Sequence, residues 1–299
     1  MTGGPAAEAQ GTVRIDLHVH TTASDGLLPP ADVVRLARRS GVQVLAVADH
    51  DTTEGLAAAQ AAAAAEGIEL IPAVELNTDV PGAEVHVLGY GIDHRVPWFQ
   101  AFLVRLRDGR VDRARRMVEK LAALGLPIAM ERVLALAGEG AVGRPHVARA
   151  LVEAGYVRET AEAFARYIGR HGPAYVERLK LTPQQAVQVI RAAGGVPVLA
   201  HPGWLADDAA VEALLGEGLE GLEVYYPDHT PAMVETYLAL ARRYEMLVTG
   251  GTDFHGGDLA TRVPLGSQYV PPEVVTRLRE RLEGRRPQPH PPPIRLEAE

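Results

Sequence analysis

Two rhythms of apolar and polar positions alternate along this chain. Short runs that are apolar on both faces, VRIDLHV (13–19), VQVLAVAD (42–49), IELIPAVEL (68–76) and AEVHVLGYGI (83–92), predict buried strands. PPADVVRLARRSG (29–41) and TEGLAAAQAAAAAEG (53–67) carry helical spacing, and Gly41 stops the first of them. The alanine run at 57–65 is helix propensity and no more. Then the rhythm breaks: from about 96 to 175 the pattern predicts helices only, over 97–123, 130–137, 145–154 and 159–169. LTPQQAVQVIRAAGG (181–195) and VPVLAHP (196–202) restore the alternation. LEGLEVYYP (219–227), TPAMVETYLALARRYE (230–245), MLVTGGTDFHGG (246–257) and LGSQYV (265–270) continue it. Buried strands followed by helices are parallel β/α units, so the expected fold is an α/β barrel interrupted by a helical insertion. The expected division is barrel over 12–95 and 176–284 and insertion, a lid over the substrate, over 96–175. A mobile N-terminal tail takes 1–11, and a proline-rich, mobile tail takes 285–299, where IRLE could dock.

Composition narrows the chemistry. With 299 residues, 47% of them hydrophobic, the chain can bury a large core, and with no cysteine any metal must be held by nitrogen and oxygen. The N-terminus lacks a basic start and an apolar run, and no apolar stretch of about 18 residues occurs, so a cytoplasmic protein without membrane contact is expected. A net charge of −8 argues against a nucleic-acid-coating surface and against a stable DNA partner. It leaves a phosphate substrate open, because bound divalent ions would invert the local field.

IDLHVHTTASDG (15–26) brings His18 and His20 to one face of a strand end. Taken alone, the pair is either two ligands of one metal or two surface histidines on an edge strand. The rest of the chain decides between these, because histidines and acids recur wherever a strand run ends. His50 follows the second run, Glu75 closes the third, His86 lies in the fourth, His201 follows VPVLA, and Asp253 and His255 follow LVTGG. Together with Asp25 they make nine nitrogen and oxygen donors at the end of a barrel where active sites form. That is more than one ion needs and fits two or three, with Glu75 available as a bridge. Paired divalent ions activate a hydroxide and clamp attacking and leaving oxygens, which suits phosphoester hydrolysis first and amide hydrolysis second.

DLHVHTTASDG, ADHDT, VEL, HVLGYG, LAHPG and GGTDFHGG resemble the motifs of the PHP (polymerase and histidinol phosphatase) superfamily. The resemblance, over roughly 13–95 and 180–258, implies a distorted (β/α)7 barrel holding up to three ions, most of all Mn, with Zn or Fe as alternatives. It implies one ion on His18, His20, Glu75 and Asp253, a second on Glu75, His86 and His201, and a third on Asp25, His50 and His255. Thr252 and Ala48 depart from residues common in the family, at positions that are not ligands. VGRPHVARALVEAGYV with GPAYVERLKLTPQQAV resembles the branch that acts on nucleoside 3′,5′-bisphosphates, some of whose members trim short RNA from the 5′ end.

Supporting residues follow from both readings. Arg144 and His146 flank Pro145 at a helix start, where an anion is favoured, and are the expected substrate contacts for a second phosphate. His201 or His255 as catalytic residues, or metal-bound water, would protonate the leaving group, and the sequence does not choose among them. Asp16, Asp49 and Asp51 would orient the ligand histidines. Arg110 and Arg113 lie on or beside the apolar arc of their helix, and either reach the site or snorkel from packing. Trp204 and Tyr225 or Tyr226 are the aromatic residues able to stack on a base; Lys180, His94 and His229 are expected to take no part. Two rivals stand beside the bisphosphatase: a histidinol phosphate phosphatase, which needs no second-phosphate site, and a non-catalytic metal-binding module.

Overall fold

The computed structural model describes residues 13–80, 83–138, 140–177, 181–205, 207–256 and 263–294. The expected N-terminal tail and Lys180 lie outside the described residues. In chain order the elements are β1 (Arg14–Val19), α1 (Pro30–Arg39), β2 (Val42–Val47), α2 (Leu56–Glu66), β3 (Glu69–Val80) and β4 (Ala83–Tyr90). Four helices follow: α3 (Pro97–Ala123), α4 (Met130–Ala137), α5 (Arg144–Glu153) and α6 (Thr160–Ala163), the last running into a π-helical turn at Phe164–Ile168. The chain then returns with α7 (Pro183–Ala192), β5 (Val196–Leu199), a 3₁₀ turn (Pro202–Leu205), α8 (Asp208–Leu215), β6 (Gly221–Tyr225), α9 (Pro231–Arg243), β7 (Leu247–Gly250) and α10 (Glu273–Leu282).

All seven strands form one sheet in chain order. It closes beyond β7, where Val19 bridges Phe254 in parallel and the His20 N–H donates to the Phe254 carbonyl at 2.8 Å. β4 is the exception to the expected parallel pairing, lying antiparallel to both β3 and β5. Only residues 81 and 82 separate it from β3, far too few for the crossover a parallel neighbour needs. The segment 265–270 continues the sequence rhythm but forms no strand; its Gly266 N–H donates to Asp16 instead.

One core packs the sheet against its outer helices, with Val33, Leu45, Val47, Leu76, Ile190 and Leu222 buried in it. A second joins Ile15, Leu17, Val44, Leu88 and Tyr90 to Val274, Val275 and Leu278 of α10. Those strand residues sit toward the N-terminal ends of the parallel strands, so α10 fills that end and leaves the opposite end for chemistry. The long helix α3 divides its burial: Phe99, Leu103 and Leu106 join the barrel core, while Met117 and Leu121 join a third core with Val133, Leu151 and Ile168. One rigid element thus seats the helical segment over the barrel. The proline-rich tail, expected to be mobile, is docked over residues 285–294. Trp98 Nε1 donates to the Gln288 carbonyl at 2.9 Å, the Gln288 N–H donates to Ala192 at 2.7 Å, and Ile294 packs on the barrel core. Among the described residues no helix is long and apolar enough to cross a membrane.

Candidate metal centre and the cavity above it

The strand ends converge on one carboxylate. Glu75, buried near the middle of β3, has five histidine nitrogens within 3.2 Å: His18 and His20 at 3.2 Å, His50 at 3.0 Å, His86 at 2.8 Å and His201 at 3.1 Å. Asp253 Oδ1 lies 3.0 Å from His20 Nε2, and Asp25 Oδ1 lies 3.3 Å from His255 Nε2. Three tight donor groups result: His18, His20 and Asp253; His50, Glu75 and His86; and His20, Asp25, His50 and His255. The structure therefore brings together all nine donors that the sequence singles out. The grouping differs in detail from the one the resemblance implies, since His50 and His20 each serve two groups and His201 reaches Glu75 from outside them.

Does the donor set fit cations? Both ring nitrogens of His20 and Asp25 Oδ1 are buried without a hydrogen bond. His20 Nε2 stands close to two carboxylate oxygens yet is misaligned for donating to either. Atoms that share an ion at about 2.1 Å sit about 3 Å apart and point at the ion, not at each other. His20 and Asp25 show that arrangement, whereas His18, His86 and His201 are aligned to hydrogen-bond Glu75. A donor set of imidazoles and carboxylates alone suits a borderline divalent ion.

The charges agree. Burial opposes charge on His18, but Glu223, Glu75 and Asp253 outweigh it and hold the imidazole well above its usual range. His20 is likewise raised, against its burial, to about 10 by Asp253 and Glu75. Burial drives His50 the other way, down to about 3, despite Glu75 and Asp25. Glu75, Asp253 and Asp25, although buried, are held well below the carboxylate range by the surrounding histidines. The histidines thus favour ionised carboxylates and the carboxylates favour positive charge at His18 and His20, a field suited to a cation. Backbone strain collects at the same spot. Among the described residues, non-glycine φ values in the left-handed region occur at Asp51 (52°), His201 (25°) and Asp253 (50°), and away from the cluster at Glu245 (53°).

The three supporting acids act on backbone more than on imidazoles. Asp16 accepts from the Thr252 N–H at 2.9 Å, the Thr252 hydroxyl at 2.6 Å and the Gly266 N–H at 2.8 Å, which anchors the chain before Asp253. Asp49 accepts from the Thr21 N–H and hydroxyl, both at 2.8 Å, and from the Ser24 hydroxyl at 2.6 Å, which pins the loop carrying Asp25. Asp51 holds the Asn77 N–H at 3.0 Å and the Asn77 amide at 3.1 Å, and that amide reaches His50 Nδ1 at 3.3 Å. The acid that touches a ligand imidazole directly is one the sequence reading missed. Glu223 of β6 is fully buried, with Oε1 3.0 Å from His18 Nδ1 and Oε2 accepting the His201 N–H at 2.7 Å. A lone acid inside the apolar run GLEVYY was its available signal.

Over the donors lies a cavity of about 720 Å³. It is lined by His50, His86, His201 and His255 of the barrel and by Arg110, Arg113, Arg144, Arg149 and Phe164 of the helical segment. Arg144 pairs with Glu84 and sets its guanidinium 5.5 Å from the Phe164 ring centre. Arg110 Nε donates to Asp51 at 2.7 Å, and Arg113 Nε to the Val176 carbonyl at 2.7 Å. Arg149, which the sequence reading passed over, makes no hydrogen bond or ion pair among the described residues and faces the cavity. His146 is a correction: it is buried, does not line the cavity, and its Nδ1 accepts the Gly143 N–H at 3.0 Å as a helix cap. Burial lowers it to about 4. His229 is also structural, with its ring nitrogens engaged by the Val224 carbonyl and the Gly203 N–H.

Residues 16–129 match the PHP domain family. A protein of Salmonella typhimurium named 5′-3′ exoribonuclease Rnm is 37% identical over 85% of this chain and 89% of its own length. The chain belongs to the PHP family. A PHP relative from Chromobacterium violaceum, named 3′,5′-nucleoside bisphosphate phosphatase, is 34% identical over 86% of this chain and 93% of its own. The crystal structure of a protein described as a metal-dependent phosphoesterase from Bifidobacterium adolescentis superposes with a TM-score of 0.82 at 32% identity, covering 91% of this chain and 97% of that one. This PHP protein is accordingly a metal-dependent phosphoesterase, a hydrolase, and the clusters described above could hold its metal.

Proposed function

We propose that the chain removes the 3′-phosphate from nucleoside 3′,5′-bisphosphates, and that the same cavity trims short RNA from the 5′ end. One observation carries the reading: four arginines line the same cavity as the metal donors. A single phosphate needs only the donors, whereas a substrate with a phosphate at each end of a ribose uses both sets. The names of the relatives, a bisphosphate phosphatase and an exoribonuclease, support both halves of the proposal.

Two or three divalent ions, Mn²⁺ in this reading, would be held by His18, His20, Asp25, His50, Glu75, His86, His201, Asp253 and His255. When bound they lower the pKa of the attacking water and neutralise the phosphoryl oxygens. The chain does the rest. Arg149 grips the second phosphate, and Arg144 joins it by exchanging Glu84 for the phosphate oxygens, each guanidinium offering a two-pronged contact. A water oxygen bonds to phosphorus as the bond between phosphorus and O3′ breaks, and His201 or His255, both on the cavity wall, gives the leaving oxygen its proton, the role falling to whichever of the two holds no ion.

The test is phosphate release from adenosine 3′,5′-bisphosphate, AMP and histidinol phosphate by metal-stripped protein given Mn²⁺. The expected result is release from the bisphosphate well above both others, with AMP as product. Brisk turnover of histidinol phosphate without the bisphosphate would overturn the proposal.

A further inference from the structure

Three aromatic residues lie at or just past the ends of the fifth and sixth strands, and the structure separates them. Tyr225 packs into the barrel cores and does not line the cavity. Tyr226 lines it, but its hydroxyl is engaged, donating to Asp253 Oδ2 at 3.0 Å. Trp204 is different. It lines the cavity and is 55% exposed, an unusual state for the largest apolar side chain of a polar site.

Its placement is one-sided. The ring lies 3.9 Å from the His201 ring, centre to centre, at an interplanar angle of 31°. His86 and Tyr226 meet it edge-on, at 6.0 Å and 6.3 Å. One face is thus packed on the cluster and supported from the sides. The short 3₁₀ turn Pro202–Leu205, whose Trp204 N–H donates to the His201 carbonyl at 3.1 Å, fixes the ring's base. Mere packing would cover both faces. The other tryptophan shows the contrast: Trp98 meets Phe99 edge-on and is hydrogen-bonded through Nε1.

We propose that the open face of Trp204 is the platform on which the substrate's nucleobase stacks. This rests on the nucleotide reading above and adds to it a third contact, beside the donors and the arginines. A flat ring held on one side offers a surface to any purine or pyrimidine, because every base has a π face. The platform therefore favours nucleotides over other phosphorylated small molecules without choosing among bases.

The test compares adenosine 3′,5′-bisphosphate with a base-free 3′,5′-bisphosphate of anhydroribitol, in the Mn²⁺-loaded wild type, W204A and W204F. In the wild type the base-free compound should have a KM about 5- to 100-fold higher, the range expected for losing one stacked base. In W204A that ratio should collapse toward one, and W204F should restore most of it. Emission gives a second readout: AMP should quench the protein's tryptophan fluorescence in wild type and in W98F, and leave W204F unquenched. If the ratio survives in W204A, or both KM values rise in parallel, Trp204 merely supports His201 and the inference falls. If the wild type turns over both compounds with equal KM, the platform falls while the bisphosphatase reading stands. If neither compound is turned over but AMP still quenches Trp204, the platform stands and the substrate reading falls.

Discussion

Glu223→Gln is the most informative single-atom change in this protein. The side chain is fully buried, and its two oxygens serve two different donors, His18 Nδ1 at 3.0 Å and the His201 N–H at 2.7 Å. An ionised carboxylate only accepts, so it fixes the His18 proton on Nδ1 and frees Nε2, the nitrogen 3.2 Å from Glu75 Oε2, to face a cation. A glutamine of the same shape must fail one donor. If its oxygen keeps the His201 N–H, its NH₂ faces Nδ1, the proton moves to Nε2, and the ligand nitrogen is lost. If its oxygen keeps His18, its NH₂ confronts the His201 N–H, and a buried donor goes unpaired at a cost of about 1–3 kcal/mol. Either way, support for two donors weakens, and Mn²⁺ affinity should fall about 10- to 100-fold. Titration of Mn²⁺ into metal-stripped protein measures this directly, and a denaturant melt of the same metal-free samples reads the folding cost separately. Wild-type Mn²⁺ affinity together with an unchanged denaturation midpoint would show that Glu223 does not set the His18 tautomer.

Two further outcomes follow from the same geometry. Arg149→Ala should lower kcat/KM for adenosine 3′,5′-bisphosphate about 10- to 100-fold, the loss of one charge-assisted contact, and more than it lowers that for a monophosphate; equal losses on both would refute a second-phosphate role. Glu75→Gln, at the meeting point of five histidines, should reduce bound Mn²⁺ and abolish turnover while far-UV circular dichroism stays native; near-wild-type activity in metal-controlled buffer would mean that the cluster is not the reaction centre.

Most of the donors are legible in the sequence because they sit where a local signal changes, at the end of an apolar run, and the barrel sends those ends to one place. His18, His20, His50, His201 and Asp253 need only that rule. What stayed hidden was pairing over long distances. The reason Arg144 is engaged is Glu84, 60 residues away along the chain, and no property of the α5 sequence distinguishes it from Arg149. Asp16 reads as a partner for imidazoles because it lies in β1 two residues before His18, yet it is spent on Thr252 and Gly266, 236 and 250 residues on. Glu223 failed differently. It lies not at a strand end but inside a strand, where the cost of burying a carboxylate demands a buried partner. The antiparallel β4 was readable too, since two intervening residues leave no room for a crossover helix. Local pattern therefore reveals which side chains can do chemistry, whereas the three-dimensional closure of the barrel decides which of them are already occupied. The unengaged residues left over, Arg149 and the open face of Trp204, are the ones from which a substrate contact can be argued.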